Sequence, residues 1–360
     1  MPAALQSLID THLRPEVARI DREGHYPREF LHRLGEAGVF VAPGRHENLG
    51  PVIRSATQVA RVCGSTGFLV WCHNASAWYL ANTDNAGLRA RYFDEVGAAR
   101  RLAGTALSNP VKHYAGIESL KLTGRRVSGG YEVSGTLPWV SNLGPDHAFA
   151  IVFSVEDSAV MAYLTADRPG LARLPGATFA ALEGTATFAL RFDRVFIPQA
   201  DLLGLPADRF LRRVQAGFVL LQLGLGFGLI AGALDDIRDA DRAHAAANQH
   251  LPDRPDALED ALHSLKTRAS ALASDPLNPS PAYLRSVLRL RLDTAELALR
   301  ATQSAALHSG ARGFIATSAP QRRVREAHFF AILTPSVRHL HQALHRTAET
   351  TTPPQLAHHA

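Results

Sequence analysis

Trp139 and Ser141 stand two residues apart in Ser134-Gly-Thr-Leu-Pro-Trp-Val-Ser-Asn142. On a strand that spacing turns both side chains to one face, where the indole offers a flat apolar wall and the hydroxyl a hydrogen bond. The pair suits a planar ring with polar edges; it also suits a buried tryptophan with a serine beside it. His73, in Trp71-Cys-His-Asn74, belongs to an apolar helix. An imidazole there can exchange a proton near neutral pH, or simply be a hydrogen-bonded core residue. Gly310 and Gly313 in Gly-Ala-Arg-Gly-Phe314 let the backbone approach a phosphate, or end a helix. Arg312 between them is a phosphate partner on the first alternative and an exposed loop arginine on the second.

The other reactive side chains form no known constellation. There are 17 histidines, but His339 and His341, two apart, would face different sides of a helix and do not make a metal pair. His328 and His345 read as surface groups, His339 as one able to approach a cavity. Two cysteines, Cys63 and Cys72, are too few for a disulfide framework or a thiolate metal site. No Walker loop, Gly-x-Ser-x-Gly elbow or glycine-rich dinucleotide fingerprint after a strand is present.

The elements that must position these residues fall into three textures. Helical stripes run through the first: Leu5, Leu8, Ile9 and Leu13, then Phe30, Leu31, Leu34 and Val39, followed by helices over 52–62 and 67–80. From about Arg101 the period becomes two. A hairpin is expected at Gly129-Gly130, with further strands over 148–155, 160–164 and 187–192 and prolines between them. Helices return at 210–247, 256–273, 283–309 and 320–347, and the tail from Thr350 reads as frayed. The expected architecture is mainly α with a central β domain: an N-terminal helical domain (1–98), a small antiparallel β-barrel (99–204) and a C-terminal helical bundle (205–360). A ligand is expected at the junction, where domains form clefts.

Composition narrows the function. Of 360 residues 46% are hydrophobic and 20% charged, which excludes a disordered chain. The formal charge is +5, carried by scattered arginines and not by a basic block, so nucleic-acid binding is disfavoured. Phe218 to Leu234 is the longest apolar run and reads as a packed core helix, not a span of the ~20 residues a bilayer needs. With no signal-peptide pattern, a cytoplasmic protein with no membrane partner is expected.

Five segments together resemble the acyl-CoA dehydrogenase family of flavoproteins over nearly the whole chain. They are Ile20-Asp-Arg-Glu-Gly-His-Tyr-Pro-Arg-Glu-Phe30 with Gly35-Glu-Ala-Gly38; Thr105-Ala-Leu-Ser-Asn-Pro110; the Trp139 segment above; Phe192-Asp-Arg-Val-Phe-Ile-Pro198; and Gly310-Ala-Arg-Gly-Phe314 with Arg322-Arg-Val-Arg-Glu-Ala327. The resemblance implies FAD, held between the β and C-terminal domains, with Trp139 and Ser141 at the ring, Leu107 and Ser108 at its pyrimidine edge, and Gly310, Arg312 and Gly313 near its phosphates. It also implies a homo-oligomer acting on a small molecule, an acyl-CoA or a relative of one.

Two family features are missing. Counting from Arg325-Glu-Ala327 places the usual catalytic Glu at Thr334, whose hydroxyl cannot act unaided as the base that removes an α-proton. The alternative position falls near Phe218, and Gly217 to Leu234 contains no Asp or Glu. His244, Arg242 and Ala247-Asn248 stand where the family carries Arg followed by Phe-Gly. Thr334 and His73 are therefore the candidate catalytic positions. The expected function is an FAD-dependent oxidoreductase without the usual base; a flavin-dependent monooxygenase on the same fold and a non-catalytic member binding an anionic partner are the alternatives.

Overall fold

The computed structural model describes residues 2–174 and 177–349; the tail read as frayed from Thr350 lies outside them. Helices α1 (Pro2–Leu8), α2 (Val17–Arg22), α3 (Arg28–Glu36), α4 (Gly50–Val62), α5 (Gly64–Asn82) and α6 (Ala86–Gly97) come first. Strand β1 (Ala103–Thr105) and the short helix α7 (Ser108–Tyr114) lead into β2 (Leu122–Val127), β3 (Gly130–Val140), β4 (Ala148–Val155), β5 (Ser158–Thr165), β6 (Leu171–Leu174), β7 (Phe188–Pro198) and β8 (Leu202–Gly204). Helices α8 (Ala207–Asn248), α9 (Pro255–Ala273), α10 (Pro281–His308), α11 (Ala319–Ile332) and α12 (Val337–Glu349) follow.

The central helices are set by small residues. Gly224 and Gly228 lie one turn apart on α8 and so share a face. A Cβ at Gly228 would fall 2.3 Å from the Ala60 Cβ, and one at Gly224 would fall 2.6 Å from that of Ala56. Helices α4 and α8 can therefore meet at this separation only without those side chains. A Cβ at Gly217 would strike the Trp78 indole at 2.4 Å, so the same economy seats the largest core side chain. The apolar run Phe218 to Leu234 is buried apart from half-buried Ala231, which makes it the core helix its composition suggests. Every residue of α5 is buried too. That helix starts at Cys63, whose sulfur accepts the Thr66 N–H at 3.5 Å and so satisfies one of the free donors of the first turn.

The β region is not the closed antiparallel barrel expected above. It is an open, mixed, eight-stranded sheet in the order β6-β7-β3-β2-β4-β5-β8, with β1 paired to β4 off that path. Among the described residues no pairing joins β6 to β8. The β2–β3 hairpin, β3–β7, β4–β5, β5–β8 and β6–β7 are antiparallel, whereas β4 runs parallel to β1 and to β2. Both parallel partners sit at one edge of β4, β1 against Ala148–Ala150 and β2 at Ser154. The chain reaches β4 by a crossover, which places it parallel to the earlier strands; turn residues along the sequence carry no information about that.

A second correction concerns the last helix, read as continuous over 320–347. It breaks into α11 and α12 because Pro335 lacks an N–H and disfavours helical backbone at Thr334; Leu333 leaves α11 with ψ 130°. The break, and not a helix face, carries Thr334 to the junction of sheet and helices.

Candidate active cavity at the junction of sheet and helices

A cavity of about 150 Å3 lies where α5, β1, α7, the end of β3, α8 and α11 converge. Its walls are aromatic. Phe68 stacks on Trp71 with ring centroids 5.5 Å apart, Phe329 meets Phe68 edge-on at 4.8 Å, and Phe218 meets Trp71 edge-on at 5.2 Å. Offset-stacked and edge-on arrangements such as these suit the ring quadrupoles. The Trp71 indole N–H donates to the Phe218 carbonyl at 3.3 Å, which locks α5 to α8 at this level.

Five positions anticipated from sequence line this one cavity: Leu107, Ser108, Trp139, Ser141 and Thr334. The Ser108 and Thr334 hydroxyls are hydrogen-bonded at 3.1 Å. Ser141 follows the last residue of β3 and is fixed by an antiparallel bridge to Thr105 and by a 2.7 Å hydrogen bond to the Thr187 hydroxyl. Trp139 is 55% exposed, so it is not the buried tryptophan of the alternative reading. The Thr334 carbonyl accepts a 2.8 Å hydrogen bond from Gln222 of α8, which pins the segment between α11 and α12.

No Asp or Glu lines the cavity among the described residues. Its ionisable side chains are Lys112 and Cys72, and burial pushes the Cys72 thiol well above its ordinary range, so it is no nucleophile at neutral pH. The Lys112 ammonium stands 3.8 Å from Glu118, beyond hydrogen-bond distance. The sequence did not single out Lys112, a lone lysine just beyond Thr105–Pro110 with no spacing signal of its own. On α7, Lys112 follows Ser108 by one turn and so faces the same way.

Four anticipated positions lie elsewhere. His73 is fully buried and points away from the cavity: its Nδ1 accepts the Ala103 N–H at 3.2 Å and its Nε2 donates to the Val96 carbonyl at 2.7 Å. That assigns the proton to Nε2, and burial lowers the imidazole pKa to about 4. It is a neutral core histidine and not an acid–base group, a correction to its candidacy. Gly310, Arg312 and Gly313 line neither this cavity nor the larger one described below. Gly310 has φ +56° just beyond α10, and a Cβ at Gly313 would fall 2.1 Å from the Ala306 carbonyl oxygen. Both glycines thus have structural causes, and the helix-ending alternative accounts for them.

The Arg322-Arg-Val-Arg-Glu-Ala327 motif is also structural. The Glu326 carboxylate is buried and accepts the Gly64 N–H at 3.0 Å, the first turn of α5. Arg322 donates to the Val62 carbonyl at 3.0 Å and its Nε stands 3.5 Å from Glu326. Arg323 pairs with Asp236 at 2.8 Å and Arg325 with Asp21 at 2.7 Å. The motif thereby ties α11 to α2, to the α4–α5 junction and to α8.

The profile of the family described as acyl-CoA dehydrogenase, N-terminal domain, matches residues 1–99. Butyryl-CoA dehydrogenase from Megasphaera elsdenii superposes with a TM-score of 0.85 over 96% of each chain at 13% identity. The chain has the acyl-CoA dehydrogenase fold. Among curated relatives, the mitochondrial short-chain specific acyl-CoA dehydrogenase of Mus musculus is 23% identical over 345 residues, 88% of this chain and 82% of that protein. The mitochondrial isovaleryl-CoA dehydrogenase of Oryza sativa subsp. japonica is 22% identical over 207 residues, 53% of this chain and about half (50%) of that protein.

In this acyl-CoA dehydrogenase fold the site residues can be tested against a flavin. A cavity near 150 Å3 is below the ~300 Å3 at which ligand pockets usually begin, so a tricyclic ring does not fit inside it. The exposed Trp139 face beside the Ser141 hydroxyl does offer a flat apolar surface with a hydrogen bond at its edge. Across the Ser141–Thr187 hydrogen bond lies a larger cavity, about 810 Å3, lined among others by Tyr26, Thr187, Thr317 and Arg325. The residues present fit the ring. For phosphates they offer little charge, since Arg325 is already held by Asp21.

Proposed function

We propose that the protein is an FAD-dependent oxidoreductase acting on a small, largely apolar group, an acyl thioester or a related molecule, without a carboxylate base. The observation that carries this reading is the convergence of Trp139, Ser141, Leu107 and Ser108 on an aromatic cavity in which Thr334 stands where the family resemblance places the carboxylate. A bound flavin would supply hydride acceptance. Trp139 would hold the ring by its exposed face, and Ser141 would hydrogen-bond its edge. Phe68, Trp71, Phe218 and Phe329 would orient the substrate and exclude water. The Ser108–Thr334 pair can hold a hydrogen bond to the substrate but is a poor base, so on the dehydrogenase reading the α-proton would leave slowly, to solvent, without a positioned carboxylate.

One observation favours a second reading: with no carboxylate lining the cavity among the described residues, oxygen-dependent hydroxylation, which needs no α-proton abstraction, suits the site as well. A homo-oligomer, through the Ala/Gly-rich helices of the third region, belongs to both readings.

Anaerobic mixing of the FAD-loaded protein with butyryl-CoA separates them. The dehydrogenase reading expects bleaching of the flavin, slower than a carboxylate-equipped enzyme by about 10²-fold or more. No bleaching, together with a hydroxylated product when reduced protein meets oxygen, moves the assignment to the monooxygenase. Neither behaviour from a flavin-loaded protein contradicts both.

A further inference from the structure

We propose that the cavity selects a small molecule carrying a negative charge beside a benzene-sized or short acyl group, with Lys112 as the contact for that charge. This rests on the cavity being the substrate site, and it names the substrate class.

The size follows from volume: an apolar cavity near 150 Å3 holds one benzene-sized group. The charge follows from what lines the cavity and what lies behind it. Lys112 contributes an ammonium with no hydrogen-bond partner among the described residues and one carboxylate, Glu118, at 3.8 Å. That carboxylate is already engaged by the Asn109 amide at 2.9 Å.

The second cation is Arg291 of α10. It is fully buried and has no carboxylate partner among the described residues. Its Nε donates to Gln222 Oε1 at 2.6 Å and its Nη2 to the Phe330 carbonyl at 2.7 Å. The guanidinium lies 3.7 Å from the centre of the Phe330 ring, and Nη1 has no hydrogen-bond partner among the described residues. Gln222 passes the contact on to the Thr334 carbonyl, so the arginine stands two hydrogen bonds behind the cavity wall. An unpaired buried guanidinium is costly, and its field is weakly screened in a low-dielectric interior. An anion in the cavity would offset that cost, whereas a cation would add to it. The lining is therefore electrostatically complementary to a carboxylate-bearing ligand and to no cationic one.

Calorimetric titration of the full-length protein with phenylacetate and with its neutral isostere phenylacetamide tests this. Phenylacetate is expected to bind at least tenfold more tightly, about the contribution of one charge-assisted hydrogen bond. Lys112→Met should abolish that preference and leave phenylacetamide unchanged, and Lys112→Arg should retain it. Equal affinities in the wild type, or equal loss of both ligands in Lys112→Met, overturn the proposal. So does an undiminished phenylacetate preference in Lys112→Met combined with weaker binding of FAD relative to riboflavin, which would give Lys112 to the cofactor phosphate. FAD uptake measured on the same preparations keeps failure of this inference distinct from failure of the flavin reading.

Discussion

Thr334→Glu should accelerate flavin bleaching by a saturated acyl-CoA by about 10²- to 10⁴-fold, the usual contribution of a positioned general base. Among the described residues the wild-type cavity has hydroxyls at this level and no carboxylate. Gln222 fixes the Thr334 backbone from below at 2.8 Å, so a longer side chain grows from an anchored point. The surrounding phenylalanines and Trp71 would desolvate the new carboxyl and raise its pKa toward neutrality, which suits a base working near pH 7. Lys112 opposes that shift and keeps part of the group ionised. Anaerobic rapid mixing of wild type and variant, each loaded with FAD, reads the ratio. A variant no faster than wild type would mean that the absent carboxylate is not what limits α-proton removal.

Glu326→Leu should cost about 3–5 kcal/mol of stability, the range for breaking a buried ion pair by removing one partner. Glu326 is 2% exposed, and burial pushes its carboxyl up against the pull of Arg322 and Arg323. Its loss leaves Arg322, 8% exposed, without its principal counter-charge and with only Asp21 and Asp236 further off. It also leaves the Gly64 N–H at the start of α5 without its acceptor, a further penalty for an unmade buried hydrogen bond. Glu326→Gln keeps that acceptor and should lose less. Urea unfolding followed by tryptophan fluorescence measures both; a Glu326→Leu variant within 1 kcal/mol of wild type would show that this latch contributes little.

These two residues also show what the sequence could reveal. Helices were legible where one face is apolar, as with Phe30, Leu31 and Leu34 of α3. The shared face of Trp139 and Ser141 at the sheet end was legible from two-residue spacing and family resemblance together, whereas their partners Thr105 and Thr187 were not. The aromatic wall was not. Phe68 and Trp71 lie on a helix buried on all sides, so no periodicity separates side chains that face a cavity from those that face the core. His73 misled for the same reason: a polar residue on an apolar helix signals either chemistry or a satisfied core contact, and only the Ala103 N–H and the Val96 carbonyl decide between them. The closed barrel failed because local turn signals do not encode the crossover that makes β4 parallel to β1 and β2. The break before α12 was available in the sequence, since Pro335 cannot sit within a regular helix.

The central claim is that the exposed Trp139 face and the Ser141 hydroxyl hold a flavin ring. The direct measurement adds excess FAD to purified protein, removes unbound cofactor by desalting, and records the flavin spectrum of wild type and of Trp139→Ala. The prediction is about one flavin per chain for wild type and at least tenfold weaker binding for the variant, the scale of one lost aromatic stacking contact with its buried area. The unfolding midpoint should be unchanged, because the side chain is already half exposed. A colourless wild-type protein after desalting, or a variant that binds FAD as tightly as wild type, would contradict it.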